Sequence, residues 1–536
     1  MRMQLIVASI VLLLGATACG DDAGNANTEA PPSTARAGSS TSTTLQPDVC
    51  TADREGGTLT FGEFIAPTAL DPAATTGAKG VIGGAEDLAI YAALMRYDPA
   101  SGKFEPWVAQ SLTANANASE WTLELRTGVV FGNGDPLTAT AVKASIQRIG
   151  EPALRSSNAS FLANIVDMAV IDDTTLVFKL AAPWGSFPTF LAGEGGMIVN
   201  TKVAAALGAG FAKMPKGAGV GPYEPVKFTP SEEIVLQAKP NWWGGPVCIQ
   251  QLRFIRLNGA QVTYDALKSG TVDMAFLREP VPIAQARDDK FPVFVNSQNA
   301  GAMLFINNRP NAPGVDLRVR RAIALSIDPV AINQRGYGGK GVPTSALIGP
   351  KSVWYSGLTG TAYDPAKAKQ TLQQVLAEGK YDGTLRLLCT DTPTSRDIAL
   401  TIETQLTLTG FKVNTTFMPT IAAAMNDGNF DTACNGMNLS DNAPDIALSQ
   451  QFTTKGSART AFKNPEFDAA VERLKAANGD SAVKAALKDV QDIWNQQVPS
   501  VVFGVTDEAI AASAKIKGLR FTQDTNVVFD KAYITK

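Results

Sequence analysis

The sequence predicts an α/β chain folded into at least two lobes. Three observations carry this. Strand-like and helix-like stretches interleave along its length, the mark of α/β architecture. Its 536 residues are too many for one small core. An apolar content of 45% against 18% charged residues is that of a globular chain.

The elements follow in order. Residues 56–62, Gly-Gly-Thr-Leu-Thr-Phe-Gly, read as a short strand after a turn, and Leu70-Asp71-Pro72 as a second turn. Residues 86–96 have helical spacing, with Leu88, Tyr91, Ala92 and Met95 on one side. Residues 121–125 alternate like a half-buried strand. Residues 138–149 read as a helix with Thr138 as N-cap. Residues 176–180, 233–237 and 252–257 continue the strand pattern, and 263–270 is a helix stopped by Gly270. Residues 303–307 form a strand. Residues 316–326 form a helix with a basic face of Arg318, Arg320 and Arg321. Residues 364–378 form a helix with Pro365 in its first turn and Gly379 at its end. Phe467, Val471 and Leu474 make one apolar stripe; Val483, Leu487, Val490 and Trp494 make the next. No internal repeat is evident.

The first nineteen residues fix the expected compartment. Arg2 gives a positive start, residues 5–14 are uncharged and mostly apolar, and Ala16-Thr17-Ala18 precede Cys19. Ten such residues are too few to span a bilayer and read as a secretory signal. A cysteine directly after small residues resembles the bacterial lipobox, in which the Cys sulfur receives a diacylglycerol and becomes the new N-terminus. Two acyl chains suffice for stable anchoring. The alternative is a plain signal peptide with an incidental cysteine. Residues 1–18 are therefore expected to be a leader, and 19–55 a lipidated Cys19 with a flexible linker. Residues 20–47 have Leu45 as their one apolar side chain larger than Ala, too little to offset chain entropy. No other long apolar run follows, so a body tethered at the outer face of the bacterial cell membrane is expected.

Composition also excludes. Without the leader the chain carries 46 basic and 50 acidic residues and no basic run, which argues against a nucleic-acid partner. There is no histidine. That removes the usual general base, the Ser-His-Asp and Cys-His systems, and every His-ligated metal site. Neither a Gly-x-Ser-x-Gly elbow nor a phosphate loop occurs. The one Ser-x-x-Lys, Ser481 to Lys484, opens an amphipathic helix. No enzyme activity, metal or cofactor is expected. A hydrolase built on carboxylates would need a facing Asp/Glu pair, and no pair in the sequence nominates one.

The order of local motifs resembles the family 5 extracellular solute-binding proteins of bacterial ABC importers, the dipeptide- and oligopeptide-binding group. The matching residues are Gly56-Gly57-Thr58-Leu59, Leu70-Asp71-Pro72, the run from Trp121 to Ala139, Gly221-Pro222-Tyr223, and Asn241-Trp242-Trp243-Gly244. Leu267 to Asp273 and Val319 to Asp328 match as well. These are scaffold turns and strands; Trp242 and Trp243 read as packed against a lobe surface.

The resemblance implies a two-lobed periplasmic-binding-protein type II fold with an extra subdomain in the larger lobe. The large lobe would span 56–302, with the subdomain at about 98–190, and take back 504–536. The small lobe would span 303–503. A peptide-like solute would be held between closing lobes, and the closed monomer would dock on permease subunits in the membrane. By position, Glu63 and Phe64 should face the cleft, and Glu86 opens a helix suited to a polar group. Peptide-binding members line the small lobe with a Gly-Trp segment followed by an acid. Here Met437 stands in place of the Trp and Ser440 in place of the acid, with Asp441 one position later. Asp441 either binds an amine or forms a turn beside Asn442. Arg396 is a candidate for a carboxylate.

Apart from Cys19, four cysteines remain and allow three pairings, or free buried thiols. Cys389 and Cys434 lie in one implied lobe, which favours Cys389–Cys434 and leaves Cys50–Cys248. The Met437 and Ser440 departures keep two alternatives open: a receptor for a non-peptide solute, and a regulatory envelope lipoprotein without transport.

Overall fold

The computed structural model describes residues 50–51, 54–64, 66–74, 84–154, 156 and 158–535. The leader, Cys19 and nearly all of the linker lie outside them.

An eleven-stranded sheet forms the spine. Its order runs Lys412–Met418, Thr384–Thr390, Thr432–Asn435, Val293–Ile306, Ser500–Ala512, Met274–Leu277, Thr58–Glu63, Gln251–Arg256, Glu233–Ala238, Tyr223–Thr229. The short strand Val342–Pro343 pairs with Ser500–Ala512. Two long antiparallel strands, Val293–Ile306 and Ser500–Ala512, form the centre. The first half of Val293–Ile306 pairs with the second half of Ser500–Ala512 beside Met274–Leu277, and the second half of Val293–Ile306 carries Thr432–Asn435. Register breaks between Gln298 and Met303, where Ala300 takes φ +48. A bulge at this point bends the strand between the two ends of the sheet. A separate four-stranded antiparallel sheet, ordered Ala109–Ala114, Glu120–Leu125, Thr175–Leu180, Ile165–Val170, stands beside the large one. Strands and helices alternate on both ends of the spine, as the interleaved pattern predicts.

Local chemistry explains most elements. Thr138 accepts from the Ala141 amide and caps Ala139–Arg148. Asp364 accepts from the Lys367 amide ahead of Pro365–Leu376. The two stripes, Phe467–Leu474 and Leu487–Trp494, meet in one core with Phe305 and Phe452. Trp242 and Trp243 both donate to the Val220 carbonyl and pack in a separate core with Leu59, Phe61 and Phe254. Both disulfides are formed, Cys50–Cys248 and Cys389–Cys434.

Two sequence expectations are corrected. The helix drawn over 86–96 ends at Tyr91, and Met95–Asp98 is a strand. Ala92 sits at φ +53, which stops the helix despite the continuing apolar spacing. The basic face of Leu317–Ser326 is not all solvent: Arg320 points inward and is 7% exposed. Among the described residues no helix is long and apolar enough to cross a membrane.

Candidate functional site

Beside the bulge, the chain leaving Thr432–Asn435 runs back against the crossing strand. The Met437 amide donates to the Ala300 carbonyl, and Asn299 and Leu439 exchange backbone hydrogen bonds. Gly436 makes this approach possible. A Cβ there would lie 2.0 Å from the Gly301 carbonyl oxygen.

A cavity opens on each side of Gly436. The smaller, about 300 Å³, is lined by Gln298, Ser440, Asn442, Arg459, Glu508 and Asp524 among others. The larger, about 500 Å³, is lined by Phe64, Arg278, Tyr337, Ser395, Cys434 and Phe503 among others. Gly436 lines both. The larger takes residues from both sides of the central strands; the smaller joins Gln298 and Glu508 of those strands to the segment after Thr432–Asn435 and to Asp524. The smaller cavity is mainly amide, hydroxyl and carboxylate. The larger joins an apolar floor to a row of hydroxyls from Thr390, Thr392, Thr394 and Ser395.

The residues singled out in the sequence fall in different places. Phe64 packs on Phe276 with ring centroids 5.4 Å apart and lines the larger cavity. Ser440 lines the smaller one, donating to Gln298 Oε1 at 3.0 Å and Asp524 Oδ1 at 2.9 Å. Asp441 is half-buried and holds structure together. It accepts from Asn299 Nδ2 at 2.8 Å, Ser352 Oγ at 2.5 Å and the Val353 amide at 3.1 Å. Met437 is fully buried in the core containing Phe305 and Trp494. Arg396 pairs with Asp391 at 2.6 Å and lies over the Phe417 ring, half exposed. Neither cavity has Met437, Asp441 or Arg396 in its lining.

Glu63 and Glu86 meet each other. Thr58–Glu63 ends where Gly84–Tyr91 begins its first turn, and both carboxyls are buried, at 5% and 0% exposure. The two carboxyls are neighbours in the interior, so Glu86 disfavours ionisation of Glu63. Neither Glu86 oxygen has a hydrogen-bond partner among the described residues. Burial pushes Glu86 up to about 7 and Glu63 well above the usual range, the latter also by repulsion from Glu86. Carboxyls in direct contact leave no space for a sugar or its attacking water, which needs a wider gap.

This pair sets a pH dependence. Its folded-state pKa values are raised, so the native state holds protons that the unfolded chain releases above about pH 4.5. The stabilisation is complete below that pH and is lost as pH rises through 7. Between pH 5 and pH 8 Glu86 alone lowers stability by about 2 kcal/mol, and Glu63 adds to that loss. Urea titrations at both pH values should show this loss in the wild type and less than half of it in Glu86→Gln, whose amide can donate to Glu63. An equal slope in the variant refutes the assignment.

Sequence reasoning missed Arg278, Gln298, Glu508 and Asp524. They come from the crossing strands and their flanks and carry no local motif. The break in apolar alternation at Asn299-Ala300-Gly301, opposite a second glycine at 436, was the available signal.

The sequence model for bacterial extracellular solute-binding proteins, family 5 (middle region), matches residues 103–459. The chain belongs to this family. As a family 5 protein it is the substrate-binding component of an ABC importer, not an enzyme, and works outside the cytoplasm. The glutathione-binding protein GsiB of Escherichia coli (strain K12) is 23% identical over 446 residues, covering 80% of this chain and 86% of GsiB. Among solved structures, the E. coli murein tripeptide binding protein MppA superposes with TM-score 0.76 at 20% identity, covering 91% of this chain and all of MppA. The binding protein AgaA from A. tumefaciens R10, solved with agropinic acid, gives TM-score 0.74 at 23% identity, covering 89% of this chain and 99% of AgaA. These likenesses establish the type II periplasmic-binding-protein fold.

Proposed function

We propose that this family 5 protein captures a peptide-like solute between two closing lobes and hands it to its permease, tethered to the membrane through a lipidated Cys19. The large lobe comprises 56–302 and the returning 504–536, with the 98–190 subdomain, and the small lobe comprises 303–503. The observation that carries the reading is the pair of cavities meeting at Gly436 beside the two crossing strands. Together they offer polar anchors on one side and an apolar pocket on the other, as a short peptide with one large side chain requires. The peptide names of GsiB and MppA support this class. Phe64 and Ser440 contribute to the lining. Glu63 and Glu86 buttress the larger lobe's edge beside Phe64. In this reading Asp441 and Met437 hold the small-lobe segment in place rather than touch the solute.

A non-peptide solute is the second reading. It is favoured by Met437, buried where peptide binders present a Trp, and by the agropinic acid held by AgaA.

The test is a thermal-shift series on the mature chain with dipeptides, longer peptides, sugars and amino acid–sugar conjugates. A solute at 100 times its Kd adds about 3 kcal/mol, or a shift of about 2–3 °C for a chain this size. Shifts with peptides support the first reading. Shifts confined to the conjugates replace it with the second.

A further inference from the structure

The boundary between the two cavities is charged. Glu508, on Ser500–Ala512, faces the smaller cavity and is 1% exposed. Arg278, one residue beyond Met274–Leu277, faces the larger. Their side chains form an ion pair, Nε to Oε1 at 3.3 Å. The contact lacks hydrogen-bond alignment, so Oε1 accepts from nothing among the described residues. Among the described residues the other oxygen, Oε2, has only long contacts, from Thr525 Oγ1 at 3.3 Å and Gln298 Nε2 at 3.5 Å. The Arg278 side chain is 40% exposed. A buried carboxylate with an unfilled acceptor therefore looks into one chamber, and a loosely held guanidinium looks into the other.

The two chambers differ in charge. Asp524 adds a second carboxylate beside Glu508, against the single guanidinium of Arg459, so the smaller lining is net acidic. In the larger, the exposed Glu279 offsets Arg278. Two helices also start there. Ala260–Lys268 begins at Gly259 without a side-chain cap, and Pro393–Thr409 begins beside Thr392. Their positive ends favour an anion.

We propose that Arg278 and Glu508 read the solute's charges. The solute is a zwitterion lying across Gly436, with its carboxylate on Arg278 in the larger cavity and its ammonium on Glu508 in the smaller. The ligand exchanges one loose internal ion pair for two of its own. Closed lobes exclude water, so each new pair is stronger than it would be in solvent, and a guanidinium can grip a carboxylate through two parallel bonds. Burial raises the Glu508 pKa, opposed by Arg278, and an arriving cation offsets that burial. This inference rests on the solute-receptor reading and names the chemical class of its solute.

The experiment is calorimetric titration of the mature chain and of Arg278→Gln and Glu508→Gln, each first checked by its melting temperature. The probes are leucyl-phenylalanine, its C-terminal amide and its N-acetyl form, the same trio built on an amino acid–sugar conjugate, and maltose as an uncharged control. In the wild type, blocking either charge weakens binding at least about tenfold. Arg278→Gln loses the preference for the free carboxylate and keeps that for the free amine; Glu508→Gln does the reverse. Equal binding of blocked and free forms overturns the inference. So do variants that weaken every probe alike, which marks a structural role. Binding of maltose alone overturns it and leaves solute capture standing. Silence from all probes removes it together with the peptide-like reading.

Discussion

Gly436→Ala destabilises the protein by about 3 kcal/mol and weakens solute binding at least about tenfold. The added methyl carbon would lie 2.0 Å from the Gly301 carbonyl oxygen and 2.8 Å from its carbon. Both are backbone atoms on the central strand, so no side chain can rotate away. Relief requires that residues 435–439 lift from the bulge. That movement strains the Met437 to Ala300 hydrogen bond at 2.9 Å and the Asn299–Leu439 exchange at 3.0 and 3.2 Å. It also shifts the shared wall of both cavities. A one-atom change thus reaches stability and binding together. Melting temperature and calorimetric titration, with whichever solute stabilises the wild type, check the two effects. An unchanged affinity in a folded variant shows that the wall at Gly436 does not bound the site.

Arg320→Ala costs about 4 kcal/mol, an effect expected of a buried cation's partners rather than of a surface charge. Arg320 Nε donates to the carbonyls of Gln497 at 3.0 Å and Val498 at 3.1 Å. Its terminal nitrogens reach the carbonyls of Gly314 at 2.8 Å, Val315 at 3.2 Å and Gln497 at 2.8 Å. These are the free carbonyls ending Asp480–Gln497 and those of the turn Pro313–Val315. Val498, at φ +45, turns the chain there into Ser500–Ala512. One guanidinium therefore caps a helix and fixes the entry of the central strand. Burial pulls its pKa down to about 10, so it stays cationic at neutral pH. Truncation leaves the carbonyls buried without donors. Urea unfolding should show the loss, with Arg320→Lys recovering part of it. Arg318→Ala is the control. That side chain pairs at the surface with Asp316 and Glu378, where ion pairs contribute little, and the unfolding midpoint should stay where it is. A small effect at Arg320 would mean that water replaces the guanidinium.

These two residues mark how far the sequence can be read. Arg318, Arg320 and Arg321 look alike in a periodicity count, because helical spacing says which residues share a face and not what covers that face. The covering groups, Gln497 and Val498, arrive from another part of the chain. The same holds for the site. Phe64 and Ser440 were reached by position along a familiar order of motifs, and both line a cavity. Met437 and Asp441 were reached the same way. The tertiary structure sends one into the core and binds the other to Asn299, Ser352 and Val353, because the segment's face is set by its pairing with the bulge. Glu63 and Glu86 were each legible as carboxylates near a strand end and a helix start. That they lie side by side in the interior depends on a distance no spacing encodes.

By itself the sequence determined what local chemistry and counting can determine. These are the interleaved strands and helices, the Thr138 cap, the Pro365 helix start, the two apolar stripes, the missing histidine, and the order of motifs that places the chain in family 5. Cysteine parity and the division into lobes pointed to the two disulfides found. Only the tertiary structure decided that Arg320 faces inward, that Glu63 lies against Glu86, that Gly436 meets Gly301, and that Arg278 stands between the cavities opposite Glu508. The physical reason is range. Capping and periodicity act within a few residues, whereas a cleft is made where strands distant in sequence pair and bend, and its charges are set by neighbours that only folding supplies.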